Sequence, residues 1–373
     1  VNLPAVKLRE ALSIISLVPS RSGIRPSEYI RCTASKGYLT MALSAEMFGE
    51  VAVAANGSSN GEAWVAYADR RAMSAFINAC DCATDADDII TEFTSTDPKT
   101  SAGELKIRYK RRRANIQGLD VVSGYAKANL KELTTVSLTD DHKALIRLAA
   151  KYAPLDPTAA NLNCVYLSKG KGIQSSNQVV MFSAADSSIP MTMPFPRMLP
   201  EILSNQAVDG IQVGEKGTRI TFQPSGYLFQ LINDECRVGF PTDQISDMVK
   251  ECAKLPVTLT FKPNDLLIIL QRLQTYTSGG GSTDVSVRCK GSAGKKVVVL
   301  TSEALQGAFH EALTIDKGLT EDVAVEWPLA TLLPLTEFLA SEPSMSVAFT
   351  DASPYSFRGT KGKNKLDLII ARK

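Results

Sequence analysis

Lys143, Arg147 and Lys151 recur at i, i+4 and i+8, a spacing that sets three cations in one row along a helix whose opposite side is apolar. Such a row on a rigid element suits contact with phosphates, which is electrostatic and blind to base sequence. Other predicted helices carry Lys7, Arg9, Arg70, Arg71, Arg197 and Arg272, and Arg21 and Arg25 lie just beyond the first helix. Taken one helix at a time, these are ordinary solvated faces. Repeated on five of six helices that faced one lumen, they would make a shallow positive lining. The sixth helix departs from this: between Trp327 and Pro343 there is no cation, only Glu337 and Glu342. The densest basic run, Lys110-Arg111-Arg112-Arg113, reads as a hairpin turn that either binds nucleic acid or stays solvated.

Residues for covalent or acid–base chemistry are sparse. The two histidines, His142 at a helix start and His310 in a predicted strand, are far apart and lack ligand spacing, so both read as structural. Gly279-Gly280-Gly281 is followed by no Lys-Ser or Lys-Thr and reads as a hairpin tip rather than a phosphate loop. Asp85, Asp87 and Asp88 lack the glycine and distal glutamate of a calcium loop. Ser20 and Ser22 have no nucleophile setting. The seven cysteines (Cys32, Cys80, Cys82, Cys164, Cys236, Cys252 and Cys289) contain no C-x-x-C pair, and Cys80 and Cys82 stand too close for a zinc half-site. Buried thiols in a reducing cytoplasm are expected, with no metal, no cofactor and no enzymatic activity.

Three stretches must position these residues. Each repeats a short amphipathic helix, several strands, a second short helix and more strands. The helices are expected near Lys7 and Asp69, Asp140 and Pro194, and Pro263 and Pro328. Leu8, Leu12 and Ile15 form the first apolar stripe, Leu145, Leu148, Ala149 and Tyr152 the third, and Leu266, Leu267, Leu270 and Leu273 the fifth. Asp69 is the expected N-cap of the second helix. Strands separated by Gly-, Ser- and Asn-rich turns give an α+β class with antiparallel sheets. The expected domains are 1–128, 129–255 and 256–373, with connectors at 119–130 and 239–256. No apolar run approaches the ~18 residues of a membrane span, and Val1-Asn2-Leu3-Pro4 does not read as a secretory leader. The net charge of +2 neither requires nor excludes a nucleic-acid partner.

Four segments carry a resemblance that spans essentially the whole chain. They are Arg25-Pro26-Ser27-Glu28-Tyr29-Ile30 with Gly37-Tyr38-Leu39-Thr40-Met41-Ala42-Leu43; Ile189-Pro190 to Leu203 with Tyr227 to Gly239-Phe240-Pro241; Phe261-Lys262-Pro263-Asn264-Asp265-Leu266-Leu267; and Asp351-Ala352-Ser353-Pro354 before a final strand. The pattern resembles the bacterial-type sliding clamp, the beta subunit of the replicative DNA polymerase, including versions carried by phages and plasmids. The resemblance implies two crescent subunits closed head to tail around duplex DNA, with three clamp domains each, sheets outside and helices lining the hole. It also implies a polymerase and a clamp loader tethered through peptide motifs. The partner-peptide pocket would be walled by Leu162, Ser175, Asn177, Gln178, Val179, Val180, Pro241, Ile369, Ile370 and Ala371. Where the family has Thr-Asp-Gly-His-Arg-Leu, this chain reads Ser175-Ser176-Asn177-Gln178-Val179-Val180, without the His and Arg. The dimer contact would join an edge near Arg112 to Ile116, with Arg113 and Ile116, to an edge near Tyr276 to Val287, with Tyr276 and Thr277. Location in the cytoplasm at the nucleoid follows from the same resemblance. The competing readings are a β-rich phage tail or capsid protein and an enzyme assembled from scattered residues.

Overall fold

The alternation of one-faced helices and short strands seen in the sequence is realised along the chain. The structure, a computed structural model, describes residues 1–373 except 17, 19, 21–22, 36, 46, 57–62, 81–87, 96–102, 120–121, 126–132, 155–160, 198–207, 215–216, 223–226, 232–238, 278–285, 305–306, 351–352 and 372–373. Strand β1 (Asn2–Pro4) leads into helix α1 (Ala5–Ile15), the single turn α2 (Arg25–Glu28), and strands β2 (Tyr29–Ser35), β3 (Tyr38–Ser44), β4 (Met47–Ala54) and β5 (Trp64–Asp69). Helix α3 (Arg70–Ala79) and strands β6 (Asp88–Ser95), β7 (Gly103–Tyr109), β8 (Arg112–Gln117) and β9 (Thr134–Val136) come next. Then follow α4 (Asp140–Ala150), β10 (Cys164–Ser168), β11 (Gly172–Ser176), β12 (Val180–Ala185), β13 (Met193–Pro196), β14 (Val208–Gly214), β15 (Gly217–Phe222) and β16 (Tyr227–Leu231). The remaining elements are α5 (Thr242–Ala253), β17 (Val257–Phe261), α6 (Pro263–Thr277), β18 (Ser286–Gly291), β19 (Val297–Ala304), β20 (Gly307–Thr314), β21 (Val323–Pro328), α7 (Leu329–Phe338), β22 (Met345–Ala348), β23 (Tyr355–Lys361) and β24 (Asn364–Ile370).

The chain divides into two units, Val1–Ser137 with Glu201–Asp234, and Leu138–Pro200 with Glu235–Lys373. The first holds a four-stranded sheet, β1-β6-β7-β8, and an eight-stranded sheet, β5-β2-β3-β4-β16-β15-β14-β9. The second holds β20-β19-β18-β21 and β13-β10-β11-β12-β24-β23-β22-β17. The strand pairings are antiparallel, as expected for the α+β class. Each eight-stranded sheet is joined at its middle by strands distant in sequence: β4 with β16, from Val51 opposite Tyr227 to Met47 opposite Leu231, and β12 with β24, from Val180 opposite Ile370 to Ala185 opposite Lys365.

Helical stripes supply the cores. In the first unit Leu8, Ala11, Leu12, Ile14 and Ile15 of α1 and Met73 and Ile77 of α3 are buried, and α1 packs on β3, β4 and α3. In the second, Leu266, Leu270 and Leu273 of α6 and Leu332 and Leu335 of α7 are fully buried where the two helices pack together. Each such leucine contributes about 1.5–3 kcal/mol. Asp69 caps α3 as expected, its Oδ1 accepting from Ala72 N–H at 2.7 Å.

Two expectations fail for identifiable reasons. Pro194 and Pro196 belong to a strand, not to a helix start. β13 is an edge strand, where a missing N–H is tolerated; the expected Met198–Leu203 stripe lies outside the described residues. The expected connector 239–256 contains α5, whose Ile245, Val249 and Cys252 fall at i, i+4 and i+7 and pack inward.

Candidate nucleic-acid interface and partner cleft

The cations read from the sequence separate into two groups. Three arginines serve helix ends. Arg70 donates from Nη2 to the Ser16 carbonyl, the C-cap of α1, at 2.5 Å, and from Nη1 to the Ser27 carbonyl at 3.2 Å. Arg9, on α1, donates in return to the carbonyl of Cys80, the C-cap of α3. Arg197 donates from Nε to the carbonyl of Ala150, the last residue of α4, at 3.1 Å. The last carbonyls of a helix have no partner within it and carry the negative end of its dipole, so a guanidinium there both pairs them and balances the charge. Arg358, which the sequence reading passed over, does the same for α5 through the Cys252 carbonyl. Burial lowers the Arg70 pKa, which fits an inward position. Replacing Arg70 by alanine is expected to cost about 2–4 kcal/mol, through two charged hydrogen bonds and the carbonyls left unpaired. Chemical denaturation measures this; a loss under 0.5 kcal/mol, on the order of a plain surface substitution, would remove the capping role.

The second group is exposed: Lys7, Arg71, Arg147 and Lys151, with Arg25 on α2. Lys143 is half-buried and pairs with Asp140 at 3.4 Å, and Arg272 pairs with Glu311 at 3.6 Å. Arg21 lies outside the described residues. The row foreseen on α4 is therefore present, with Arg147 and Lys151 outward and Lys143 partly engaged.

His142 is structural in detail. With Thr139 it completes a capping box at the start of α4: His142 N–H donates to Thr139 Oγ1 at 3.2 Å, and the Thr139 N–H donates to Nδ1 at 3.3 Å. In the neutral ring the proton is therefore on Nε2, which faces Asp186 Oδ2 at 3.3 Å and Ser188 Oγ at 2.9 Å. A serine, histidine and aspartate thus meet, but carboxylate and hydroxyl lie on the same ring nitrogen. A charge-stabilised nucleophile needs them on opposite nitrogens. His310 bonds Thr301 Oγ1 through Nδ1 at 2.9 Å. Cys32, Cys80, Cys164, Cys252 and Cys289 are unbridged and buried; Cys82 and Cys236 lie outside the described residues. Burial pushes the Cys32 and Cys289 thiols up to about 12. Among the described residues no cluster of His, Cys, Asp or Glu is gathered for a metal, and no helix is long and apolar enough to cross a membrane.

Of the ten residues expected to wall a peptide pocket, Ser175, Val180, Ile369 and Ile370 lie in one sheet, on both of its faces, and Leu162, Asn177, Gln178, Val179, Pro241 and Ala371 lie in the segments around it. Successive strand residues point to opposite sides, so Ile369 and Ile370 cannot both face one pocket. Met181 stands opposite Ile369 and packs against the cluster of Leu162, Cys164, Phe240 and Ile245, under α5. Val180, opposite Ile370, shares its side of β12 with Phe182, which stacks on Tyr152 at 5.3 Å. Ser175 is also buried, its Oγ donating to the Ala149 carbonyl at 2.7 Å. Asn177 shapes a turn, its Oδ1 accepting from the N–H groups of Val179 and Val180. Gln178, at φ 75°, Val179 and Ala371 are exposed, and the Ala371 N–H donates to the Val179 carbonyl at 2.8 Å. Of the ten, only Pro241 lines the open cleft of about 490 Å³ at the start of α5. Its other walls include Tyr166 and Phe240, stacked at 5.0 Å, and Lys169 and Lys171. The sequence reading missed this cleft because it took α5 for a connector.

Edge strands border both four-stranded sheets. β8 carries Arg113, exposed, and Ile116, which is buried inward and so offers a partner backbone rather than side chain. In the other unit the four-stranded sheet has its edges at β20 and β21, not in the segment 276–287: β18 is an interior strand, and 278–285 lie outside the described residues. Tyr276, partly exposed, stacks on Phe309 of β20 at 4.3 Å and so does sit beside that edge. The Thr277 side chain is not described.

Antiparallel sheets joined across distant segments, with helices packed on them, define the architectural class; comparison with known proteins gives it a closer identity. No family model and no curated protein matches the chain. Solved structures match along its full length. A beta sliding clamp of C. crescentus, with polyethylene glycol bound at its beta-motif tethering region, is 17% identical at TM-score 0.72, covering 100% of this chain and 98% of that one. The DNA polymerase sliding clamp of Bacillus subtilis is 15% identical at TM-score 0.72, with the same coverage. A DNA polymerase III beta subunit of Bartonella birtlesii bound to griselimycin is 14% identical at TM-score 0.72, covering 100% and 99%. The chain has the sliding-clamp fold.

Proposed function

We propose that the chain is a DNA sliding clamp: a non-enzymatic homodimeric ring of the replication machinery in the cytoplasm that encircles duplex DNA and tethers a polymerase and its loader. The observation that carries this reading is the match to beta clamps over the whole chain rather than one domain. The sheet composition supports three domains, at 1–128, 129–255 and 256–373. Each eight-stranded sheet takes four strands from one segment and four from the next, and each four-stranded sheet comes from an end segment. The edges β8 and β20 are the strands by which a second copy would close the ring, through backbone hydrogen bonds. The exposed Lys7, Arg71, Arg147 and Lys151 supply weak phosphate contacts, which a topological link tolerates. The partner segment would enter beside Pro241, in the cleft of Tyr166 and Phe240. The phage structural reading finds no support among the structural matches.

Loading onto a nicked circular plasmid, followed by gel filtration, tests the proposal. Protein is expected to co-elute with the circle and to be lost within minutes of linearisation, with a light-scattering mass of twice the chain in free solution. Equal retention on circular and linear DNA would overturn it, as would a stable monomer.

A further inference from the structure

Ser168, the last residue of β10, is 6% exposed, and among the described residues its Oγ has no hydrogen-bond partner. A buried hydroxyl left unpaired is costly, and its place is informative. It lines the cleft at the start of α5, on the same side of the strand as Tyr166 two residues earlier. Gly172 stands opposite it across the ladder, so no side chain covers the hydroxyl from there. The same cleft gathers further donors. Helix α5, twelve residues long, opens into it through Thr242, Asp243 and Gln244. Its N-cap, Pro241, has no side chain that could accept from the first turn. The Thr242 N–H bonds the Phe240 carbonyl at 2.8 Å and the Ile245 N–H bonds the Pro241 carbonyl at 3.1 Å. The N–H groups of Asp243 and Gln244 have no acceptor within the helix and stand at the positive end of its dipole. Thr192 Oγ1 accepts from the Lys169 N–H at 3.0 Å and keeps its own proton to donate, and Thr242 brings a third hydroxyl. Lys169 and Lys171, at the turn between β10 and β11, are exposed and line the cleft as well. Asp243 is the one carboxylate among the described lining residues, so two ammonium groups leave the lining net positive.

We propose that the start of α5 and the β10–β11 turn form a binding site for a small phosphate monoester, its phosphate held by Ser168 and the α5 N-terminus and its charge balanced by Lys169 and Lys171. Hydroxyl, N–H and ammonium donors together outnumber what the two oxygens of a carboxylate accept; the three terminal oxygens of a phosphate monoester match them. The stacked rings of Tyr166 and Phe240 give the rest of the ligand an apolar wall. Nucleotides and sugar phosphates share this chemistry, and the volume of about 490 Å³ lies in the range of small-molecule sites. The cleft is distinct from the apolar pocket that the resemblance implies, since only Pro241 of those ten residues lines it. Binding here needs neither DNA nor ring closure, so the outcome of the plasmid test does not bear on it. A bound phosphate and a partner segment beside Pro241 would exclude one another.

Isothermal titration of the full chain tests this, with inorganic phosphate, ribose 5-phosphate, adenosine 5′-monophosphate and N-acetylglutamate as probes. One site per chain is expected, with both esters at least as tight as inorganic phosphate and N-acetylglutamate about tenfold weaker. Tighter binding of the adenosine ester than of the ribose ester would assign the aromatic wall to a base; equal binding would assign the site to the phosphate alone. K169Q/K171Q is expected to weaken ester binding by about tenfold or more, and S168A by about fivefold. D243N is expected to strengthen it by about threefold, because a like charge is removed. The melting temperature of S168A without ligand is expected to stay level or rise, since an unpaired buried hydroxyl is removed; a structural role would lower it. No saturable binding of either ester at millimolar concentration would overturn the proposal. So would equal binding of N-acetylglutamate, or ester affinity unmoved by both S168A and K169Q/K171Q.

Discussion

Trp327→Ala is expected to lower stability by about 3–5 kcal/mol, a large share of the 5–15 kcal/mol that holds a typical domain. Trp327 is fully buried on β21, across the ladder from Val287, and meets Phe357 of β23 edge to face at 5.3 Å and 81°. It therefore ties the four-stranded sheet to the eight-stranded sheet within one unit. The next residue, Pro328, is the N-cap of α7, so a cavity at Trp327 also loosens the entry of that helix. The indole Nε1 is buried without a hydrogen-bond partner. Trp327→Phe removes that orphan donor while giving up only part of the ring volume. It is expected to lie within about 1.5 kcal/mol of the native chain. Urea unfolding followed by far-ultraviolet circular dichroism separates the two variants. Equal midpoints would mean that the ring packing does not join the sheets.

What could be read from the sequence follows from periodicity. Leu8, Leu12 and Ile15, or Leu266, Leu270 and Leu273, repeat at helical spacing because one face of each helix must be buried, and all six are buried. The strand alternation Leu105, Ile107, Tyr109 is as plain and holds as well. Helix α5 was harder: its stripe of Ile245, Val249 and Cys252 is short, and the pass along the residues reads 239–256 as a connector. The side-chain roles were less legible because a guanidinium reaching a carbonyl depends on which helix end lies nearby, which local spacing does not encode. One local signal was present. Arg70 and Arg71 occupy the first turn of α3, where the helix dipole disfavours cations. Arg70 answers that cost by reaching the end of α1, and Arg71 remains exposed. The pocket residues were less legible for a simpler reason: position-by-position transfer took consecutive strand residues such as Ile369 and Ile370, which point to opposite faces.

Separating the two groups of cations gives the sharpest test of how the chain would hold DNA. A variant with Lys7, Arg71, Arg147 and Lys151 all changed to glutamine is expected to lose up to about 3.6 units of log–log salt slope on a short linear duplex, four contacts at 0.9 each. The corresponding change at Arg9, Arg70 and Arg197 is expected to leave that slope unaltered and instead lower the unfolding midpoint, because those groups pair helix carbonyls. Retention on closed circular DNA should survive the quadruple change at low salt, since a ring is held by linkage and not by affinity. The two readouts therefore diverge: direct binding falls while topological retention persists. Anisotropy on linear duplex and gel filtration on circles measure them separately. If both fall together, the chain is held by its charges alone; if neither moves, the exposed faces of α1, α3 and α4 do not meet DNA.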